Sequence, residues 1–169
     1  MLELTALPID ADAYGAFGRV IQAGESPARA CNHGTAAAWD GLAEITSLRP
    51  NASVGTSLFR CTGLETDTLS VRWLERHVHS TQLFAPLAGG RYLLVVARGG
   101  DAPDLSTLKA FVVEGATAIT YHPGVWHHPM VALDRSIDFL NVLATDGTDA
   151  DCDEVTFDPP CARVHQLSR

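Results

Sequence analysis

Between residues 53 and 144, apolar residues alternate with polar ones or gather in short runs, each bounded by glycine or proline. This is the pattern of β-strands, whose successive side chains point to opposite faces. The predicted strands are Ser53 to Cys61, Leu69 to His79, Arg91 to Ala97, Lys109 to Val113, Ala116 to His122 and Ile137 to Ala144. All are rich in β-branched and aromatic residues. Gly63, Gly89-Gly90, Gly99-Gly100, Gly115 and Pro123-Gly124 supply the turns between them. Tyr92 to Ala97, the longest apolar run, has the length of a buried strand. A short helix is predicted over Ala11 to Val20, broken by Gly24-Glu25-Ser26-Pro27, and a helical turn over Pro103 to Leu108. Cys31 to Gly41 is rich in small residues and has no assignable pattern. Many short strands with close-set turns predict one mainly β domain over residues 1–169, a sandwich or barrel with one or two short helices.

Composition narrows the functional classes. With 46% hydrophobic and 19% charged residues, the chain is an ordinary globular sequence rather than a disordered one. No apolar run approaches the roughly 20 residues that span a bilayer. Met1-Leu2-Glu3-Leu4 lacks a basic stretch followed by an apolar one, so no export signal is expected and the cytoplasm is the expected compartment. A net charge of −8 argues against nucleic acid as a partner, because phosphate binding needs a basic patch. A small anionic substrate stays compatible with that charge. Cys31, Cys61, Cys152 and Cys161 form no C-x-x-C pair and are expected as isolated reduced thiols.

The candidate chemistry lies in histidines, five of which fall in two clusters. In a strand through Leu69 to His79, Val71, Trp73, Glu75, His77 and His79 share one face, with Arg72, Leu74 and Arg76 on the other. A face that turns from Val and Trp to Glu, His and His suggests a barrel interior becoming polar near its mouth, where small ligands bind. The second cluster is Tyr121-His122-Pro123-Gly124-Val125-Trp126-His127-His128-Pro129. Adjacent histidines on the strand after that Pro-Gly turn must point to opposite faces, so one of them reaches the interior.

Together the clusters resemble the two motifs of the cupin superfamily, as His77-x-His79 and Pro123-Gly124-x-x-His127. The glutamate usual in the first cupin motif is replaced at best by Gln82. Two readings stand at this point: His77, His79 and His127 bind a divalent metal, or they are hydrogen-bonded inside a polar barrel without one.

At family level the resemblance is closer. Leu74-Glu75-Arg76-His77 with Thr81-Gln82, then Pro103-Asp104-Leu105-Ser106-Thr107-Leu108-Lys109-Ala110-Phe111, then Tyr121 to Pro129, is similar to ureidoglycolate lyases in content and order. The likeness runs from Phe17-Gly18 to Cys152-Asp153. It implies a cupin-like double-stranded β-helix, or jelly roll, a homodimer, nickel as the divalent metal, and a role in allantoin and purine breakdown. The implied reaction is cleavage of (S)-ureidoglycolate into glyoxylate and urea. Two positions depart from the family: His77-Val78-His79-Ser80 replaces a His-Pro-x-Gly block, and Lys109 stands where an arginine is familiar.

That reaction needs a base for the substrate hydroxyl, an acid for the leaving nitrogen and a group that holds the carboxylate. Histidine serves either proton-transfer role near neutrality. The expected catalytic set is His127, His77, Glu75 as the acid and Gln82 orienting the substrate, with Arg60, Lys109 and Tyr121 binding it. Glu75 pairing with a neighbouring arginine is the alternative for that residue. His122 and His128 are expected to support the site, while His33 and His165 bear no signal. A metal-dependent cupin oxygenase or isomerase acting on a small carboxylate, and a non-enzymatic ligand-binding cupin, are the alternatives.

Overall fold

The computed structural model describes residues 1–24, 27–165 and 167. Two antiparallel sheets face each other. One runs in the order Cys152–Thr156, Trp73–His77, Trp126–His127, Gly90–Ala97, Lys109–Gly115 and Leu7–Pro8, with Val131–Ala132 also pairing on Gly90–Ala97. Only its Leu7–Pro8 edge is parallel. The other has five strands, in the order Val20–Ile21, Ala118–Tyr121, Gln82–Pro86, Ile137–Thr145 and Ser53–Cys61. From Ser53 onward the chain crosses repeatedly from one sheet to the other, which is the path of a jelly roll. Among the described residues no strand pairing joins the two large sheets, so the jelly roll is an open sandwich and not a closed barrel.

Gly90–Ala97 explains the layering. Its even residues Tyr92, Leu94 and Val96 pack with Phe111, Ile119, Tyr121 and Phe139 between the sheets. Its odd residues Leu93, Val95 and Ala97 pack with Leu74, Trp126, Val71, Ala162 and Val164 on the far side. There a small third sheet, ordered Leu2–Thr5, Ala162–His165, Leu69–Val71, covers them. An unbroken apolar run is what burial on both faces requires.

Several predicted elements change. The N-terminal helix is one turn, Ala11–Tyr14, capped by the Asp10 side chain, which accepts from Ala13 N at 2.8 Å. It ends because the chain then presses onto a strand: a Cβ on Gly18 would sit 1.7 Å from the Thr120 carbonyl oxygen. Val20–Ile21 consequently pairs with Ala118 and Ile119 instead of continuing the helix. The predicted strand through Leu69 to His79 breaks at Arg72, so Leu69–Val71 joins the small sheet and Trp73–His77 the large one. Val71 and Leu74 then share one apolar cluster, which continuous alternation forbids. The unassigned Cys31 to Gly41 region contributes a small hairpin, Arg29–Cys31 with Ala36–Ala38. The predicted helical turn is present as Leu105–Thr107.

Candidate active site

The site forms where the polar ends of the two facing sheets meet. His127 pairs with Glu75 on one side and Val96 on the other, so all three side chains face the space between the sheets. Gly124 places this strand: its φ of +79° completes the Pro123-Gly124 turn, and its N–H donates to the His77 carbonyl at 2.7 Å. His127 is 1% exposed. Its ring lies flat on Tyr121 with 4.0 Å between centroids, and the His77 centroid is 6.0 Å away.

Hydrogen bonding fixes the His127 tautomer. Nδ1 lies 3.0 Å from the Val125 carbonyl, an acceptor only, so Nδ1 bears the proton and donates it. Nε2 faces Glu75, buried and without a hydrogen-bond partner. It lies 3.4 Å from Glu75 Oε1, too long for a well-formed hydrogen bond. A proton or a cation between Nε2 and the carboxylate would join the two groups. Nδ1 of His77 is also buried without a partner. One ligand atom each from Glu75, His77 and His127 lies within 4.8 Å of the others. Two imidazoles and a carboxylate with open positions form a donor set suited to nickel, zinc or iron.

Burial alone would raise the Glu75 carboxyl, but contact with His127 and the nearby His77 and His128 outweighs it and holds Glu75 below the usual carboxylate value. Burial, reinforced by His127 and Arg49 and opposed by Glu75 and Asp151, pushes His77 below the usual histidine value. At neutral pH the wall therefore presents an ionised carboxylate and a neutral His77.

A cavity of about 610 Å³ opens in front of this wall. Glu75 and His77 line one side; Ser57, Gln82, Phe84 and Asn141 of the five-stranded sheet line the other. Behind His77 the chain is tied down by Asp151. Its Oδ1 accepts from His79 N at 2.6 Å, its carbonyl accepts from Val78 N at 3.0 Å, and Arg49 stands 4.0 Å from its Oδ2.

A family model described as ureidoglycolate lyase matches residues 1–164. The chain belongs to the ureidoglycolate lyase family. It is 38% identical over 158 residues to a ureidoglycolate lyase of Pseudomonas syringae pv. tomato, covering 94% of this chain and 92% of the relative. It is also 38% identical to one of Pseudomonas entomophila, covering 93% of each. Among solved structures, a 3,4-ketoisomerase from Helicobacter canadensis aligns with a TM-score of 0.46 at 12% identity, over 75% of this chain and 84% of that one.

Within this member of the ureidoglycolate lyase family, Glu75, His77 and Gln82 border the cavity and His127 stands beside Glu75. Five expectations need correction. His79 is not a member of the ligand group, because the Trp73–His77 strand ends before it and Glu75 takes that place. Lys109 is exposed and lies over the Phe17 ring at 5.9 Å, away from the cavity lining. Arg60 touches only the rim: Arg60 pairs with Asp138 three residues along from the Ser57–Asn141 pair, hence on the opposite face. Its Nε and Nη2 donate to Asp138 at 2.7 and 2.8 Å. Tyr121 is buried behind His127 and is a backing ring, not a cavity wall. Glu75, expected as an acid, is held below the usual carboxylate value and is ionised at neutral pH.

His128 stacks on Trp73 at 5.2 Å, and its Nδ1 bonds the Pro129 carbonyl. His122 lies in a second polar cleft with Arg19 and Glu44. Asn141, Ser57 and Asp151 join the site without being expected from the motifs. Asn141 had a usable signal: it is the lone carboxamide on the face shared by Ile137, Phe139 and Leu143. Asp151 had none, because it acts from a loop distant in sequence.

Proposed function

We propose that this protein is a lyase for (S)-ureidoglycolate, releasing glyoxylate and urea in allantoin and purine breakdown. The observation that supports it best is the two-walled cavity. An ionised carboxylate and a neutral imidazole face a wall of carboxamide and hydroxyl groups, within a family named for this activity.

The chemistry balances without water. Glu75 takes the proton from the substrate hydroxyl, and the oxygen electrons form the new carbonyl of glyoxylate. The C–N bond breaks with its electron pair on the ureido nitrogen, and Glu75 returns the proton there to complete urea. One carboxylate thus serves as base and then acid, as its ionised resting state allows. His127, locked by Val125, supports the Glu75 charge, and His77 borders the reacting carbon.

Glu75, His77 and His127 would hold a divalent cation, nickel by family resemblance, whose charge would acidify the substrate hydroxyl and offset the substrate carboxylate. A need for such a charge fits the lining: among the described residues, the one guanidinium or ammonium at the cavity belongs to Arg60, already spent on Asp138.

We further propose a homodimer built on the Ser53–Cys61 edge strand, which exposes Val54, Leu58 and Phe59 by 58%, 59% and 45%. An edge strand with exposed apolar side chains invites pairing with a second copy. The cytoplasm is the proposed location, in keeping with four free cysteines. Glyoxylate formed from ureidoglycolate, followed in a coupled reductase assay, tests the activity. No glyoxylate above the uncatalysed rate would reject it.

A further inference from the structure

We infer that Asn141 and Gln82 form the subsite for the ureido group, so that two buried carboxamides select a ureido acid over other small hydroxy acids. The inference rests on the lyase reading above and adds the residues that give it its specificity. Both side chains line the cavity, and both residues are 4% exposed. Asn141 Oδ1 and Gln82 Oε1 are buried without hydrogen-bond partners. At Asn141 the Nδ2 donates to Ser57 Oγ at 3.0 Å and Oδ1 is the spare atom.

The register keeps the two groups together. Asn141 pairs with Ser57 on one side and Phe84 on the other, and Gln82 is two residues from Phe84 on the same face. Their wall is opposite the one bearing Glu75 and His77. A buried carbonyl oxygen without a donor is unfavourable, and a ligand N–H relieves it. A ureido group offers its donors, one N–H and one NH₂, at one end of the molecule. The hydroxyl and carboxylate at the other end are then left to the Glu75 wall. Phe59 and Phe84, edge to face at 5.6 Å, give apolar sides to this polar slot and suit a flat group. A site built around unpaired buried acceptors rejects a ligand that lacks the matching donors.

The test is calorimetric binding of two non-reacting probes, ureidoacetate and glycolate. Both have the carboxylate; only the first has the ureido group. Wild-type protein should bind ureidoacetate more tightly. Asn141→Leu and Gln82→Met should each weaken ureidoacetate by about tenfold, the scale of one or two lost hydrogen bonds, and leave glycolate within about twofold. Unchanged ureidoacetate affinity in the folded variants, or equal losses for both probes, overturns the inference. If Asn141→Leu does not fold, Gln82→Met decides alone. The lyase reading fails separately, through absence of urea from wild-type protein given ureidoglycolate, whatever the probes do.

Discussion

Tyr121 lies flat against His127, 4.0 Å between ring centroids and 12° from parallel, while its buried hydroxyl has no hydrogen-bond partner. The ring holds the imidazole in place and the hydroxyl contributes nothing that offsets its burial. Tyr121→Phe should therefore keep turnover within about threefold and leave the thermal midpoint equal or higher. Tyr121→Ala removes the support and should cost about 3–5 kcal/mol of stability together with most activity. Thermal melts and turnover of both variants check the contrast; a large loss in Tyr121→Phe would give the hydroxyl a direct role.

The adjacent histidines separate in the same way. His127→Asn should lower turnover by ~10²-fold or more, the scale of losing a placed proton-transfer or ligand group. His128→Asn, which loses a ring packed on Trp73, should act on stability first and on turnover by a few-fold. Steady-state kinetics on both variants decide it, and the reverse order would contradict the placement of His127 between Glu75 and Tyr121.

Acid should impair both activity and stability. Turnover needs Glu75 ionised and His77 neutral, and both groups sit below their usual values of 4.5 and 6.5. Activity should then stay level as pH falls through 6.5 and decline only below it. For each group the unfolded chain binds its proton at a higher pH than the folded one does. The stability that each contributes is present above its unfolded value and is lost as pH falls through its folded value. A pH–rate profile and melts across the same range test this. An inflection at or above pH 6.5 governed by His77→Gln would contradict it.

The sequence pattern reaches the site only where local alternation governs. Glu75 and His77 fall on the inner face because Trp73–His77 is a regular strand. His79 escapes that rule, since the backbone of Val78 and His79 leaves the strand to bond Asp151, a partner more than seventy residues away. Arg72 breaks the strand because Leu69–Val71 pairs with the C-terminal Ala162–His165, again a long-range choice. Gln82–Pro86 pairs on both edges in the centre of its sheet, yet Pro86 argues locally against a strand there. Cys152–Thr156 is a largely exposed edge with little apolar periodicity and so has no strand signal in the sequence.

Asp151 supports the end of the His77 strand from behind. It is 4% exposed and holds the His79 N–H with its side chain. Asp151→Ala should lower stability by about 2–3 kcal/mol, because it orphans a part-buried donor and removes one of two carboxylates near Arg49. Asp151→Asn keeps an acceptor for His79 N–H and should recover part of that loss. Urea unfolding curves for the pair check this; equal losses would assign the effect to charge alone.

The lyase mechanism is tested most directly by a nitrogen and carbon balance on ureidoglycolate turned over by the purified protein. Urea, ammonia and glyoxylate are quantified separately over the course of the reaction. Urea and glyoxylate should appear in equal amounts, with ammonia at background, because Glu75 only moves a proton and no water attacks the ureido carbonyl. Ammonia as the main nitrogen product would mean hydrolysis at that carbonyl and would contradict the lyase assignment.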